Sequence, residues 1–395
     1  MRGLFSPLAT FKLLCLPAAL ALLGALGCKG SSGGSTLYVY DNTSSSVLVW
    51  DDINTVYTAA QASTPAAAAD RTITSSLISG MDLAWGGLAV DTTSNRLYLV
   101  TETGVVWVIT QASTQNGAIT STTYITSFNL GLAGQDQFTG GSVFGQASVD
   151  GGSNTLYVTE TATDGSATRI WKISNASTVA SNYGPSHTFT PPATYTIGTG
   201  TDTFGCGVAA VPGGNAFGLM GGGGLLYNGL TTSYNGARLR VTQSGTFNAS
   251  PYITNGGVLI GSATELGAPL AYGGLGYDSQ NSALYVFAPT SSSPTDAEIL
   301  VFNNSVFSIG LDQPPTRTLG DTAGALATLR TISHPANSDW LLGATFTPDT
   351  TSAIGAGTGE GTLLLWKAPS KGGAAVSATM TGTSEIRGMN VGGTN

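Results

Sequence analysis

The run Asp91 to Ser113, DTTSNRLYLVTETGVVWVITQAS, returns at Asp150 to Ser177 as DGGSNTLYVTETATDGSATRIWKISNAS. Both copies hold an Asp, a Ser-Asn pair, an apolar run built on Leu-Tyr, the triplet Thr-Glu-Thr, a polar turn, a second apolar run containing Trp, and Ala-Ser. Apolar and polar residues alternate at a period of two between clusters of turn residues, which predicts strands joined by hairpins.

The same spacing recurs along the chain. Asp91 leads to Leu97, Asp150 to Leu156 and Asp278 to Leu284; His334 stands at that distance from Trp340, and VAAVPGGNAFGLM puts Phe217 in the Leu slot. The first copy, TLYVYD at Thr36, lacks an approach strand. Each copy is followed by a second apolar strand, SVLVW, VVWVI, TRIWKI, ARLRV, EILVF or LLLWK, whose Trp107, Trp171 and Trp366 are expected to pack between sheets. Thr-rich segments such as RTITSS, TYITSFNL and VSATMTG then suit outer strands with one wet face.

The unit is therefore a four-stranded meander of about 60 residues, a period that means a propeller. Residues 36–395 have room for six such units, so the fold expected is an all-β, six-bladed β-propeller. IRGMNVGG at Ile386 to Gly393 looks like an innermost strand without a successor. Pairing it with TLYVYD completes one blade and closes the ring through the N- and C-terminal strands. Through GGLAVDTTSNRLYLV, GQASVDGGSNTLYV and GGLGYDSQNSALYVF the chain resembles the NHL-repeat and YVTN-type β-propellers of secreted bacterial proteins. The resemblance implies a platform for binding or scaffolding, and in some relatives an enzyme, so it speaks to fold more than to function.

Composition narrows the partners. Charged residues are 9% of the chain and Gly supplies 55 of its 395 residues, while a hydrophobic fraction of 41% is ample for a core. The formal net charge is −8, and without Arg2 and Lys12 of the leader it becomes −10. With no basic run there is no footprint for nucleic acid; a cationic partner or a metal ion is better matched. Cys206 is the one cysteine inside the body, so no internal disulfide is expected, and it reads as a small buried hydrophobe.

The first 27 residues carry Arg2 and Lys12 ahead of an uncharged stretch from Leu13 to Gly27, and read as an export signal. Gly24, Ala25, Leu26, Gly27 and Cys28 resemble the lipobox of bacterial lipoproteins. That resemblance implies cleavage before Cys28, its acylation by fatty chains such as palmitate, and, from Lys29, the outer membrane of the cell envelope. The division expected is a signal peptide at 1–27, lipidated Cys28 with a flexible tether to residue 35, and the propeller at 36–395.

Few residues suit catalysis. His334 occupies a turn slot held elsewhere by Asp, and His187 lies in a Pro-rich connector. The glycine runs near Gly221 and Gly355 lack the Lys-Ser/Thr of a phosphate loop. One constellation stands out: connections into the innermost strands carry Asp82, Asp136, Asp202, Glu265, Asp321 and Glu385. In a ring these acids would gather at one mouth of the central channel, partly neutralised by Arg330 and Arg387, and favour a divalent cation or a Lys/Arg-rich partner. Two functions follow as expectations. One is a monomeric, membrane-tethered binding or scaffold propeller that meets an envelope protein, glycan or peptide through its loop face. The other is a metal-dependent enzyme resembling the lactonase and lyase propellers.

Overall fold

The computed structural model describes residues 35–130, 141–163, 167–178, 195–196, 207–213, 215–220, 224–226, 238–242, 258–259, 274–289, 297–303, 313–320, 325–335, 338–345, 362–380 and 385–392. The leader, Cys28, His187, Cys206, Asp136, Asp202, Glu265 and Asp321 lie outside them.

The fold is an all-β propeller, and its described strands fall into separately hydrogen-bonded sheets. The first joins the chain ends: Ile386–Gly392 pairs with Thr36–Asp41, followed by Ser46–Trp50 and Arg71–Thr74. The second is Leu83–Asp91, Arg96–Thr101, Val105–Thr110 and Ile125–Asn129, and the third is Ser142–Asp150, Thr155–Ala162, Ala167–Ser174 and Tyr195–Thr196. The fifth runs from Leu275–Asp278 through Ala283–Pro289 and Ala297–Asn303 to Arg317–Leu319. The last runs from Leu329–Ser333 through Trp340–Thr345 and Thr362–Lys367 to Val376–Thr379.

Those five sheets are four-strand meanders, the first extended by Gly117–Ala118 lying parallel to Arg71–Thr74, so the structure shows five blades where six were expected; the fourth sheet departs from the pattern. There Asn215–Met220 pairs with two strands at once, Leu219 standing opposite Leu225 and Phe217 opposite Val241. The cause is local: the sequence from Met220 to Gly257 is dense in glycine, which weakens strands and gives a sheet little to pack.

Alternation decides what each sheet buries. In the second sheet Leu97 and Leu99 face the first sheet, whereas Tyr98 and Val100 face the third, and all four are buried. Trp171 and Trp366 are buried between sheets as expected, and Trp107 is half-buried. The innermost strands lie side by side: Leu83–Asp91 packs against Ile386–Gly392 and Ser142–Asp150, and Gly207–Val211 against Ser142–Asp150 and Leu275–Asp278. Leu329–Ser333 then contacts both Leu275–Asp278 and Ile386–Gly392.

One element was unexpected. Ile53–Gln61 forms a helix, with Asp52 as N-cap accepting the Asn54 N–H at 2.9 Å. Ile53 and Val56 are buried and Tyr57 and Ala60 pack beside them, a helical spacing that seats the helix on Val376–Thr379.

Candidate functional site

The acidic mouth forms where the first two sheets meet. Strand Leu83–Asp91 enters with a wide bulge, Leu83 pairing with Thr101 but Leu88 already with Leu99. Gly86, at φ +72°, makes that bulge possible, since a Cβ there would stand 2.6 Å from Thr331 Oγ1. The bulge carries Trp85, and the guanidinium of Arg387 lies 5.4 Å from the centre of its ring.

Arg387 is the hub. Its Nε donates to Glu385 Oε1 at 2.6 Å, and its Nη1 donates to Glu102 Oε1 at 2.8 Å and to the Leu83 carbonyl at 3.3 Å. Asp82 Oδ1 stands 3.9 Å from Nη1. Asn42, in the turn after Thr36–Asp41, braces the group: its Nδ2 donates to Asp82 Oδ1 at 3.2 Å and to Glu385 Oε2 at 3.5 Å, while its Oδ1 accepts the Leu83 N–H.

Of the six acids expected at the mouth, the structure thus brings Asp82 and Glu385 together. Four lie outside the described residues, and Arg330 is half-buried on Leu329–Ser333. The sequence reading missed Glu102 because it sits at the far end of a second strand, not in a connection into an innermost one. Its signal was the Thr-Glu-Thr triplet itself.

Burial grades the three carboxylates. The Arg387 side chain is 7% exposed, Glu385 13%, Glu102 33% and Asp82 67%. Desolvation raises the Glu102 pKa, opposed by Arg387 and reinforced by Asp82 and Glu385. With every group ionised the cluster carries two negative charges in excess, shown to solvent chiefly through Asp82. The space between the carboxylates, where a metal ion would sit, is taken by the guanidinium. Among the described residues no three His, Cys, Asp or Glu side chains are grouped to hold a metal.

A buried glutamine ties several innermost strands together. Gln146, 3% exposed, donates from Nε2 to the carbonyls of Leu275 at 2.7 Å and Ile332 at 2.9 Å, and its Oε1 accepts the N–H groups of Val208 and Leu275. One side chain thus ties the third sheet to the fourth, fifth and last.

His334 lies far from the mouth, at the end of Leu329–Ser333. Its side chain is 1% exposed, stacks on Tyr285 with ring centres 5.2 Å apart, and holds Nε2 3.9 Å from Asp278 Oδ2. Neither ring nitrogen has a hydrogen-bond partner among the described residues. Burial pushes its pKa down to about 4, against the pull of Asp278. At neutral pH it is an uncharged packing residue.

The repeated Asp residues are turn anchors. Asp91 accepts from the N–H groups of Thr93 and Ser94 and from the Ser94 hydroxyl; Asp150 accepts from Gly152 N–H and Ser153 Oγ, and Asp278 from Gln280 N–H, Asn281 N–H and Asn281 Nδ2.

No protein-family description matches the chain, and no curated protein does. Among solved structures it is similar to Kuenenia stuttgartiensis hydrazine synthase at 8% identity and a TM-score of 0.35, covering 73% of this chain and 65% of that one. It is also similar to the dihydro-heme d1 dehydrogenase NirN at 8% identity and a TM-score of 0.40, covering 90% of this chain and 74% of that one. A third is the β-propeller domain of Myceliophteria thermophila Cps50 (Swd1), at 10% identity and a TM-score of 0.41, with 90% and 89% covered. Identities this low accompany many functions, so the site must be read on its own chemistry.

Proposed function

We propose that the chain is a binding or scaffold propeller of the bacterial cell envelope. In this reading it is anchored through lipidated Cys28 to the outer membrane and meets a Lys/Arg-rich segment of another envelope protein at its acidic mouth. The observation that carries it is the Asp82, Glu102 and Glu385 cluster around one buried guanidinium, which leaves negative charge in excess at an exposed rim. A mouth so charged attracts cations over a range set by salt. The ring is read as closed through the paired terminal strands, which supports a rigid platform.

The test uses protein lacking residues 1–28 and a fluorescent Lys/Arg-rich peptide, followed by anisotropy. Binding should weaken as salt rises, fall several-fold in Asp82→Asn, and be absent for an Asp/Glu-rich peptide. Equal binding of both peptides, or no effect of Asp82→Asn, would remove the mouth as the binding face.

A further inference from the structure

A second site, unlike the mouth in charge, lies at the other end of the fifth sheet. A cavity of about 270 Å³ opens between that sheet and the turn after Thr362–Lys367. Its polar lining is Asn281, Asn303, Thr316, Arg317 and Ser370, and among the described residues that line it there is no acid. In a chain with an excess of acids, a pocket whose one charged group among the described lining residues is a guanidinium differs in sign from the mouth.

The strands explain the arrangement. Val301 pairs with Arg317 and Ala283 with Asn303, so these residues meet at the outer margin of the seam filled by Tyr285, Val301 and Leu319. Thr316 donates its hydroxyl to the Val301 carbonyl at 2.6 Å, which turns the oxygen's lone pairs outward as acceptors. Arg317 forms no ion pair or hydrogen bond among the described residues, and its Nε is buried without an acceptor. The guanidinium borders the cavity and is available to an anionic group there.

We propose that this cavity binds a small hydroxylated carboxylate of monosaccharide size, a sugar acid. Arg317 takes the carboxylate, for which its planar fork is suited, and the Asn281, Asn303, Thr316 and Ser370 groups take hydroxyls. The volume falls just below the range of drug-sized pockets, which matches one sugar ring. The site is independent of the mouth, so either can fail alone.

Calorimetry on protein lacking residues 1–28 would use D-glucuronate, with D-glucose and acetate as separate arms. Glucuronate should bind at least ten-fold more tightly than either, because only it offers both groups. Arg317→Gln should weaken glucuronate at least ten-fold while the thermal midpoint stays within a few degrees. Ser370→Trp, which fills the cavity from the opposite wall, should abolish binding and covers the case in which Arg317→Gln fails to fold. Glucose binding as well as glucuronate, an unaffected Arg317→Gln, or no heat at millimolar ligand would each overturn the proposal.

Discussion

Arg387 shows how much one residue can hold. Removing it leaves Glu385, Glu102 and Asp82 facing one another with no cation among them, and a partly buried carboxylate pair without its partner costs about 3 kcal/mol. Arg387→Met, which keeps the contact with Trp85, should lower the thermal midpoint by several degrees at pH 7, and the deficit should shrink as the pH falls and Glu102, whose pKa burial raises, takes up a proton. An unchanged midpoint would make the cluster a surface ornament. Whether such a residue is legible depends on the pleat. In the two copies of the repeat Thr-Glu-Thr slips by one position relative to Leu-Tyr, so Glu102 follows the Tyr98 face to the mouth, while Glu160 follows the Leu156 face into the core. There Glu160 is fully buried and accepts from Ser142 Oγ and Trp171 Nε1, each at 2.5 Å. The triplet was visible in the sequence, but the one-residue slip that sends one Glu to solvent and the other inward is a matter of register. His334 offers a test with a definite sign. It is neutral in the fold down to a pKa of about 4 but protonates near 6.5 once unfolded, so the unfolded chain binds more protons between those values. Stability therefore falls as pH drops through that window and levels off below it, by up to about 1.4 kcal/mol per pH unit. Urea midpoints from pH 7 to pH 4.5 should decline less steeply in His334→Phe, which preserves the stack on Tyr285.

At the scale of the strand and its turn, the polar residues of the repeated motif hold its hairpins together. Asn95 and Asn154 occupy the left-handed region at φ +54° and +53°, closing the hairpins that Asp91 and Asp150 anchor. Their side-chain oxygens then accept the N–H groups of Ser113 and Ser177, so the Ala-Ser that ends each copy is tied back to its beginning. Gly151 allows adjacent turns to touch, since a Cβ there would come within 2.5 Å of Asp91 Oδ1. Asp91→Ala removes the acceptor of three bonds at a residue 1% exposed and should cost about 2 kcal/mol, with Asp91→Asn recovering part of it. Thermal unfolding of the three proteins decides, and equal midpoints would mean the backbone alone sets the turn. Elements of this kind were readable because turn chemistry and alternation are local. The helix Ile53–Gln61 escaped because it is a short insertion between two strands, and its Ile53, Val56, Tyr57 and Ala60 spacing is brief beside the β pattern around it. The pairing of the fourth sheet escaped for another reason: its strands Asn215–Met220 and Arg238–Thr242 were legible, but glycine-rich sequence beside them weakens the alternation that would fix their partners.

For the whole molecule the question is what joins the ends of the chain. Strand Ile386–Gly392 lies against Thr36–Asp41 with Leu37 opposite Val391 and Val39 opposite Met389, and all four side chains are buried. It also contributes Arg387 to the mouth and packs against the innermost strands of the second and last sheets. A blade has apolar residues on both faces, so each is stable only between two others, and losing one inner strand exposes seams on either side. Deleting residues 386–395 takes away Ile386, Met389 and Val391, each buried to within 2% of complete, and at about 2 kcal/mol for each such side chain the loss is a large part of the stability of an ordinary domain. The truncated protein should unfold at a midpoint at least 10 °C lower, or fail to fold, by circular dichroism. Adding the excised segment as a peptide should restore part of the loss by filling the vacated edge beside Thr36–Asp41. If instead the truncated and full-length proteins melt together, the terminal strands lean on a fold that is complete without them, and the innermost strands must be held by other ties such as the Gln146 bonds to Leu275, Ile332 and Val208.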